Sequence, residues 1–406
     1  GSAWSIGIAH VTERRAGGGN RCNREWRHHR CAGAVAAIVS NLHGPYTRSR
    51  GIAYSDQMLH EVFRLSLPAG LLAMSGLVAQ EQQPAQPVSQ QKQSQQLLAG
   101  HNWQQWRGPS ATGVALDADP PITWSETENI RFKLELPGVG YGTPIVSGDR
   151  IYLTAAIAVG PHGKAVPDDA PGAHDNAAVT QRHEFVAMAV DRIAGKIVWQ
   201  SKLHEQLPHQ GYHKSSALAA ASMVTDGELL FAFFGSYGLY CLDTEGELQW
   251  QKDLGDMQIK HGHGEGCSPV LHGDTVVVNW DHEEQSFVVA FDKRSGEQRW
   301  RKARDEVTSW STPIVVEVAG VKQLLVSGYD LRTGEIIWSC RGLSNNVVAS
   351  PVSQDGMLYA GSSYVKKRML AIRLEGAKGD ITNTDHVVWR RQTRTPYVPS
   401  PLLYGE

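Results

Sequence analysis

The segment AVDRIAGKIVW, from Ala189 to Trp199, decides how this chain is read. A small residue stands two places before an aspartate, a glycine follows, and a tryptophan closes the segment. The same order returns as CLDTEGELQW (Cys241 to Trp250), AFDKRSGEQRW (Ala290 to Trp300) and GYDLRTGEIIW (Gly328 to Trp338). A weaker copy ends at Trp389. The tryptophans Trp199, Trp250, Trp300, Trp338 and Trp389 lie 51, 50, 38 and 51 residues apart.

Each position of the repeat has a physical task. The aspartates Asp191, Asp243, Asp292 and Asp330 begin a turn, where the carboxylate accepts from backbone amides two residues on. The glycines Gly195, Gly246, Gly296 and Gly334 supply a positive φ that a residue with a Cβ resists. Each tryptophan opens the next strand and offers a flat apolar face to a neighbouring unit. The small residue before the aspartate leaves room for such a face. Strand-type units recurring every forty to fifty residues describe a propeller or a similar array. An aromatic binding box is the weaker alternative. The expected fold is therefore all-β: a β-propeller of four-stranded blades, about five of them present with partial ones besides.

A second marker runs in phase with the first. A Ser/Thr-Pro pair followed by an apolar hairpin begins at Thr143, Ser268, Thr312 and Ser350, and at Ser222 with methionine in place of proline. A last copy, SPLLYGE, starts at Ser400, and the sequence stops inside its turn. An open sheet edge would remain there, so a longer parent protein and an incomplete ring are expected. The chain also enters part-way through a blade, since Phe132 in IRFKLELP stands where later units place tryptophan.

Composition narrows the function classes. With 406 residues, 41% of them hydrophobic, and a net charge of −2, the chain can bury a large core and presents no overall surface for nucleic acid. Cys22, Cys31, Cys241, Cys267 and Cys340 form no CxxC and no adjacent pair, so neither a disulfide framework nor a zinc spacing is present. No run of eighteen apolar residues occurs, so no membrane-spanning helix is expected in the mature chain.

The first hundred residues differ from the rest. Residues 1–57 hold eight arginines, no lysine and three acids; the expectation is upstream sequence or an unstructured segment, with a basic arm as the alternative. Residues 58–79, MLHEVFRLSLPAGLLAMSGLVA, read as a secretory signal peptide, which points to a periplasmic or secreted protein. Residues 80–100 form a glutamine-rich linker that cannot bury enough apolar surface to fold alone. The propeller is expected over 101–406, with Trp103, Trp106 and Trp124 packing a strap against the first blade.

Two units depart from the pattern. A long polar insertion centred on GPHGKAVPDDAPGAHDNAAVTQRH lies between Ala155 and Glu184, and its aperiodic composition favours an unstructured excursion over a lid. In the unit ending at Trp338 the spacing falls to 38, which suggests that one strand is lost.

The signature resembles the pyrroloquinoline-quinone-type repeat, Ala-x-Asp-x-x-Thr-Gly-x-x-x-Trp. Ala290, Asp292, Gly296 and Trp300 match it with serine for the threonine, and Asp330, Thr333, Gly334 and Trp338 match it with glycine for the alanine. Together with the opening NWQQWRGP, the region resembles the BamB-like propellers of exported bacterial proteins. The resemblance implies seven or eight blades in a complete ring. It also implies one of two roles: a non-catalytic scaffold for other exported or envelope proteins, or an oxidoreductase using pyrroloquinoline quinone and calcium on an alcohol or sugar. The adjacent-cysteine disulfide of the family's alcohol dehydrogenases has no counterpart here, which favours the scaffold.

The best chemical candidate is KHGHGEGCSP, from Lys260 to Pro269. If extended, it projects His261, His263 and Glu265 to one face, a donor set that suits a divalent transition metal. The alternative is a polar channel lining, because GVGYGTP (Gly138 to Pro144) shows the same alternating glycines without histidine. His213 and Lys214, in HQGYHKSS, occupy the matching entry of the neighbouring blade and would favour an anionic ligand or an acidic peptide at the same mouth. No GxSxG, HExxH or Walker-type loop is present.

Overall fold

The computed structural model describes residues 102–404 except 116, 117, 119 and 326, together with two short strands at Trp4–Gly7 and Ile38–Val39. The expected signal peptide and glutamine-rich linker lie outside the described residues. The fold is a β-propeller, with five antiparallel blades in chain order. Blade 1 consists of Ile145–Ser147, Arg150–Val159, Arg182–Asp191 and Ile197–Gln206. Blade 2 consists of Val224–Thr225, Leu229–Phe233, Leu239–Asp243 and Leu248–Lys252. Blade 3 runs Val270–His272, Thr275–Trp280, Phe287–Asp292 and Gln298–Ala303. Blade 5 runs Val352–Gln354, Met357–Ser362, Arg368–Arg373 and Val387–Arg391.

Blade 4 corrects one expectation. All four strands are kept, at Ile314–Val318, Val321–Leu325, Gly328–Asp330 and Ile336–Ser339. The short spacing comes from a third strand of three residues and from its near-direct connection to the second. A fifth strand, Gly379–Asp380, adds in parallel to the outer edge at Trp338 and Ser339.

The repeat works as its chemistry suggests, with one refinement. Asp292 Oδ1 accepts from the amides of Arg294 and Ser295, both at 2.9 Å, and Asp191 Oδ1 from those of Ile193 and Ala194 at 2.8 and 2.7 Å. The turn glycines hold φ of +64° at Gly195, +87° at Gly246, +69° at Gly296 and +70° at Gly334. They also form the seat for the wedge. A Cβ on Gly246, Gly296 or Gly334 would come within 2.7, 2.7 or 2.6 Å of the Trp199, Trp250 or Trp300 ring of the preceding blade. Each indole Nε1 then donates to a carbonyl of that same turn, Thr244, Lys293 or Leu331, at 2.9 Å. Gly195 receives Phe132 in the same way. The small residue instead faces the tryptophan of its own blade: Ala189 pairs with Trp199, Cys241 with Trp250, Ala290 with Trp300 and Gly328 with Trp338. Trp338 departs from the wedge pattern by donating to Gln323 Oε1, and Trp389 is 40% exposed.

The Ser/Thr-Pro marker has a second function that its local sequence does not show. The amide of Thr143 donates to Ser222 Oγ (2.8 Å), that of Ser222 to Ser268 Oγ (3.0 Å), and that of Ser268 to Thr312 Oγ1 (3.1 Å). Thr312 continues to Ser350 Oγ (3.2 Å) and Ser350 to Ser400 Oγ (3.0 Å). One hydroxyl per blade thus satisfies a buried amide of the blade before it, which an apolar core could not do.

Apolar side chains fill the spaces between blades. Phe231, Val276, Val278 and Phe291 join blades 2 and 3 around Trp250, while Tyr152, Phe185, Leu230 and Leu242 join blades 1 and 2 around Trp199. Burying each such side chain contributes roughly 1.5–3 kcal/mol.

The strap departs from expectation. Trp103 pairs with Val146 of blade 1, but Trp106 Nε1 donates to Ser350 Oγ in blade 5 at 3.1 Å, and Trp124 is 52% exposed. The strap therefore bridges blades and does not serve the first one alone. Trp4–Gly7 and Ile38–Val39 form a three-stranded sheet with Lys133–Leu136, where the sequence shows no strand period. Among the described residues no helix is long and apolar enough to cross a membrane.

Candidate functional site

The connections between blades and those between second and third strands gather on one face, and the predicted candidates lie there. The segment from Lys260 is not extended. Residues 260–262 form a 3₁₀ turn in which His261 holds a left-handed φ of +59°. A turn rotates successive side chains away from a common face, so the expected set of His261, His263 and Glu265 does not assemble. Among the described residues no three His, Cys, Asp or Glu side chains are placed to hold a metal ion.

Glu265 turns inward. Its carboxylate accepts from the Ser236 amide (2.6 Å) and the Ser236 hydroxyl (2.5 Å), and Ser236 Oγ accepts in turn from the Met257 amide (2.7 Å). Burial pushes this carboxyl up to about 7, against the opposing pull of the Ser236 hydrogen bonds. Glu265 is thus a structural clamp between the top of blade 2 and the connection leading to blade 3.

The histidines go the other way, outward, and meet the insertion. Residues 160–181 are no unstructured excursion. Val166 and Gly163 donate to the carbonyls of Val179 and Thr180, and Asn176–Ala177 pairs with Tyr212–His213 as a two-stranded sheet. The Asn176 amide side chain donates to the His261 carbonyl (2.8 Å) and to Asp168 Oδ1 (2.7 Å). The alternating glycines form the bed for this contact. A Cβ on Gly262 would stand 3.0 Å from Asn176 Nδ2, and one on Gly264 would stand 2.9 Å from Tyr212 Cβ. In GVGYGTP the glycines serve a different end, since a Cβ on Gly140 or Gly142 would strike the carbonyl oxygen of Thr154 or Ala221.

Four imidazoles come together as a result. The rings of His174 and His263 lie 4.7 Å apart, those of His213 and His263 4.8 Å, and those of His261 and His263 5.3 Å. His213 and His263 therefore meet, while Lys214 points to Asp175 at 3.9 Å. His174 carries no signal in the sequence. Nothing in its surroundings has a period, and only the fold carries it to residues almost ninety positions away.

Two further spaces open near this face. A small one lined by Phe233, Glu265, Cys267, Asn279, Asp281 and Trp310 has a volume of about 10 Å³. A larger cavity of about 360 Å³ lies where blade 4 is cut short, lined by Asp281, Arg304, Glu306, Leu325, Trp338 and Asn346. In its wall Arg304 donates to Asp281 at 2.7 and 3.2 Å and to the Tyr329 hydroxyl at 3.0 Å. Both partners of that ion pair are buried. Cys241 and Cys267 are buried, which pushes each thiol up to about 12 and keeps it unreactive.

The chain is similar to the crystal structure of BamB from Moraxella catarrhalis, at 16% identity and a TM-score of 0.36, over 63% of this chain and 75% of that one. It is also similar to a europium-containing methanol dehydrogenase, at 14% identity and a TM-score of 0.29, over 62% of this chain and 41% of that one. A third similar structure is the quinohemoprotein alcohol dehydrogenase from Comamonas testosteroni, at 12% identity and a TM-score of 0.30, over 64% of this chain and 36% of that one. The chain thus spans well under half the length of either dehydrogenase. No curated protein matches it. A family described as outer membrane protein assembly factor BamB matches residues 183–405, more than half of the sequence. The chain belongs to that BamB-type family of quinone-repeat propellers.

Proposed function

We propose that this protein is a non-catalytic, exported propeller that presents its loop face to partner proteins of the cell envelope. The observation that supports this most directly is how the polar groups of that face are used. Glu265 clamps Ser236. His261 donates from Nδ1 to the Pro171 carbonyl (3.1 Å) and stands 3.2 Å from the Tyr364 hydroxyl. These groups are engaged in holding loops against each other among the described residues.

The alternative role, quinone-dependent oxidation of an alcohol or sugar, needs a site for a flat tricarboxylate and calcium. The space beside Glu265 and Asn279, about 10 Å³, holds little more than one water. The larger cavity carries Asp281, Asp305 and Glu306 against Arg304 and Arg341, and its Arg304 is already paired with Asp281.

A photocrosslinking amino acid at Val365, 84% exposed on the loop face, tests the scaffold reading in envelope fractions. A discrete protein adduct is expected there and none from Ile193, which is 55% exposed at a hairpin turn on the opposite end. Saturable quinone binding with dye-linked alcohol oxidation, on mixing the protein with calcium and the quinone, would overturn it.

A further inference from the structure

We propose that the insertion in blade 1 is a pH-operated strap, docked across the loop face at neutral pH through a cluster of four imidazoles and released when His263, at the centre of the cluster, gains a proton. The docking contacts converge on one point. Gly172 lies so close to His261 that a Cβ there would stand 2.8 Å from its Nδ1. His174 donates from Nδ1 to the Gly172 carbonyl (2.8 Å) and packs its ring against both His261 and His263 at 5.2 and 4.7 Å. The His213 amide donates to the His263 carbonyl (3.2 Å), and the Lys214 amide to the Asp175 carbonyl (2.9 Å). Three chain segments and blade 5, through Tyr364, are therefore joined by histidines.

The chemistry of the rings makes the junction sensitive to protons. His261 Nδ1 faces a carbonyl and so carries the proton of the neutral ring, leaving Nε2 to accept from the Tyr364 hydroxyl. His263 Nε2 is buried without a hydrogen-bond partner among the described residues. A proton there would be a buried donor facing other imidazoles. Burial first, then the neighbouring His213, His174 and His261, hold His263 below the usual imidazole range.

A backbone hydrogen bond to His174 opposes this shift without reversing it, and the nearby carboxylates are partly engaged. Asp175 is paired with Lys214 at 3.9 Å, while Asp168 keeps its charge and accepts from the Asn176 side chain through Oδ1. Lys260 adds a further positive charge beside His261. Tyr212 and Tyr397 bring rings and hydroxyls but no charge near neutrality. The sign follows from linkage. A base whose proton affinity is depressed in the docked state takes up protons on undocking, so docking holds at neutral pH and weakens as pH falls through about 6.5.

Hydrogen exchange of the full chain at pH 7.5 and 5.5, corrected for intrinsic exchange chemistry, tests the proposal. Opening of residues 163–177 is expected to rise on the order of tenfold at the lower pH. Blade 3 amides, such as those of Val277 and Val289, should stay protected and report that the propeller is intact. In the double variant His174→Asn, His263→Gln the pH response of the strap should shrink below twofold. Should that variant fail to fold, His213→Gln, at the rim, serves with the same expected direction. Equal strap protection at both pH values in the natural sequence, or an undiminished response in a folded variant, overturns the proposal.

Discussion

Gly296→Ala separates the two demands that the repeat places on its glycine. At φ +69° an alanine carries the left-handed penalty of roughly 1–2 kcal/mol. Its Cβ would also stand 2.7 Å from Trp250 Cδ2, with two more ring atoms at 3.0 Å. That ring cannot retreat freely, because its Nε1 is bonded to the Lys293 carbonyl and Phe231 and Phe291 pack tilted against it, with ring centroids 5.8 and 6.4 Å away. Overpacking of this kind costs a further ~1–3 kcal/mol. Gly273 in the same blade provides the control: its φ is +57°, yet nothing lies within 4 Å of its missing Cβ. Both substitutions restrict the unfolded chain equally, so that effect cancels in the comparison. Urea unfolding followed by tryptophan fluorescence should therefore place Gly296→Ala about 1–3 kcal/mol below Gly273→Ala. In a Trp250→Leu background the gap should close. Equal losses for the two alanines, or a gap that survives removal of the indole, would refute the wedge as the reason for the glycine.

Other consequences follow from the same contacts. Ser268→Ala leaves the buried amide of Ser222 without its acceptor, and should cost about 1–3 kcal/mol in thermal or urea unfolding, while Ser268→Thr should retain most of the stability. Arg304→Met strands the Asp281 carboxylate, 3% exposed, and should cost about 3–5 kcal/mol, with Asp281→Asn added to it recovering part of the loss. Because burial raises the Glu265 carboxyl to about 7, the folded state holds a proton that the unfolded state releases near 4.3; stability should fall as pH rises between those values and level off above. Glu265→Gln should remove that component, read as a flatter stability–pH profile between pH 5 and 7 than that of the natural sequence.

The sequence by itself determined the hairpins and their repetition. Asp191, Asp243, Asp292 and Asp330 bond amides two to four residues on, and such contacts depend on local order alone. It also determined that Phe132 replaces a tryptophan, since position in the period was enough. What only the tertiary structure decided were the partnerships across blades. The turn glycine, and not the small residue, receives the neighbouring indole; the serines of the second marker satisfy one another's amides; Glu265 leaves the histidines for Ser236; and His174 arrives from the insertion. The first two depend on how one repeat packs on the next; the last two depend on loop conformation, above all the left-handed turn at His261, and on contacts between segments with no shared period. A sequence pattern encodes distance along the chain, and these residues meet through distance in space.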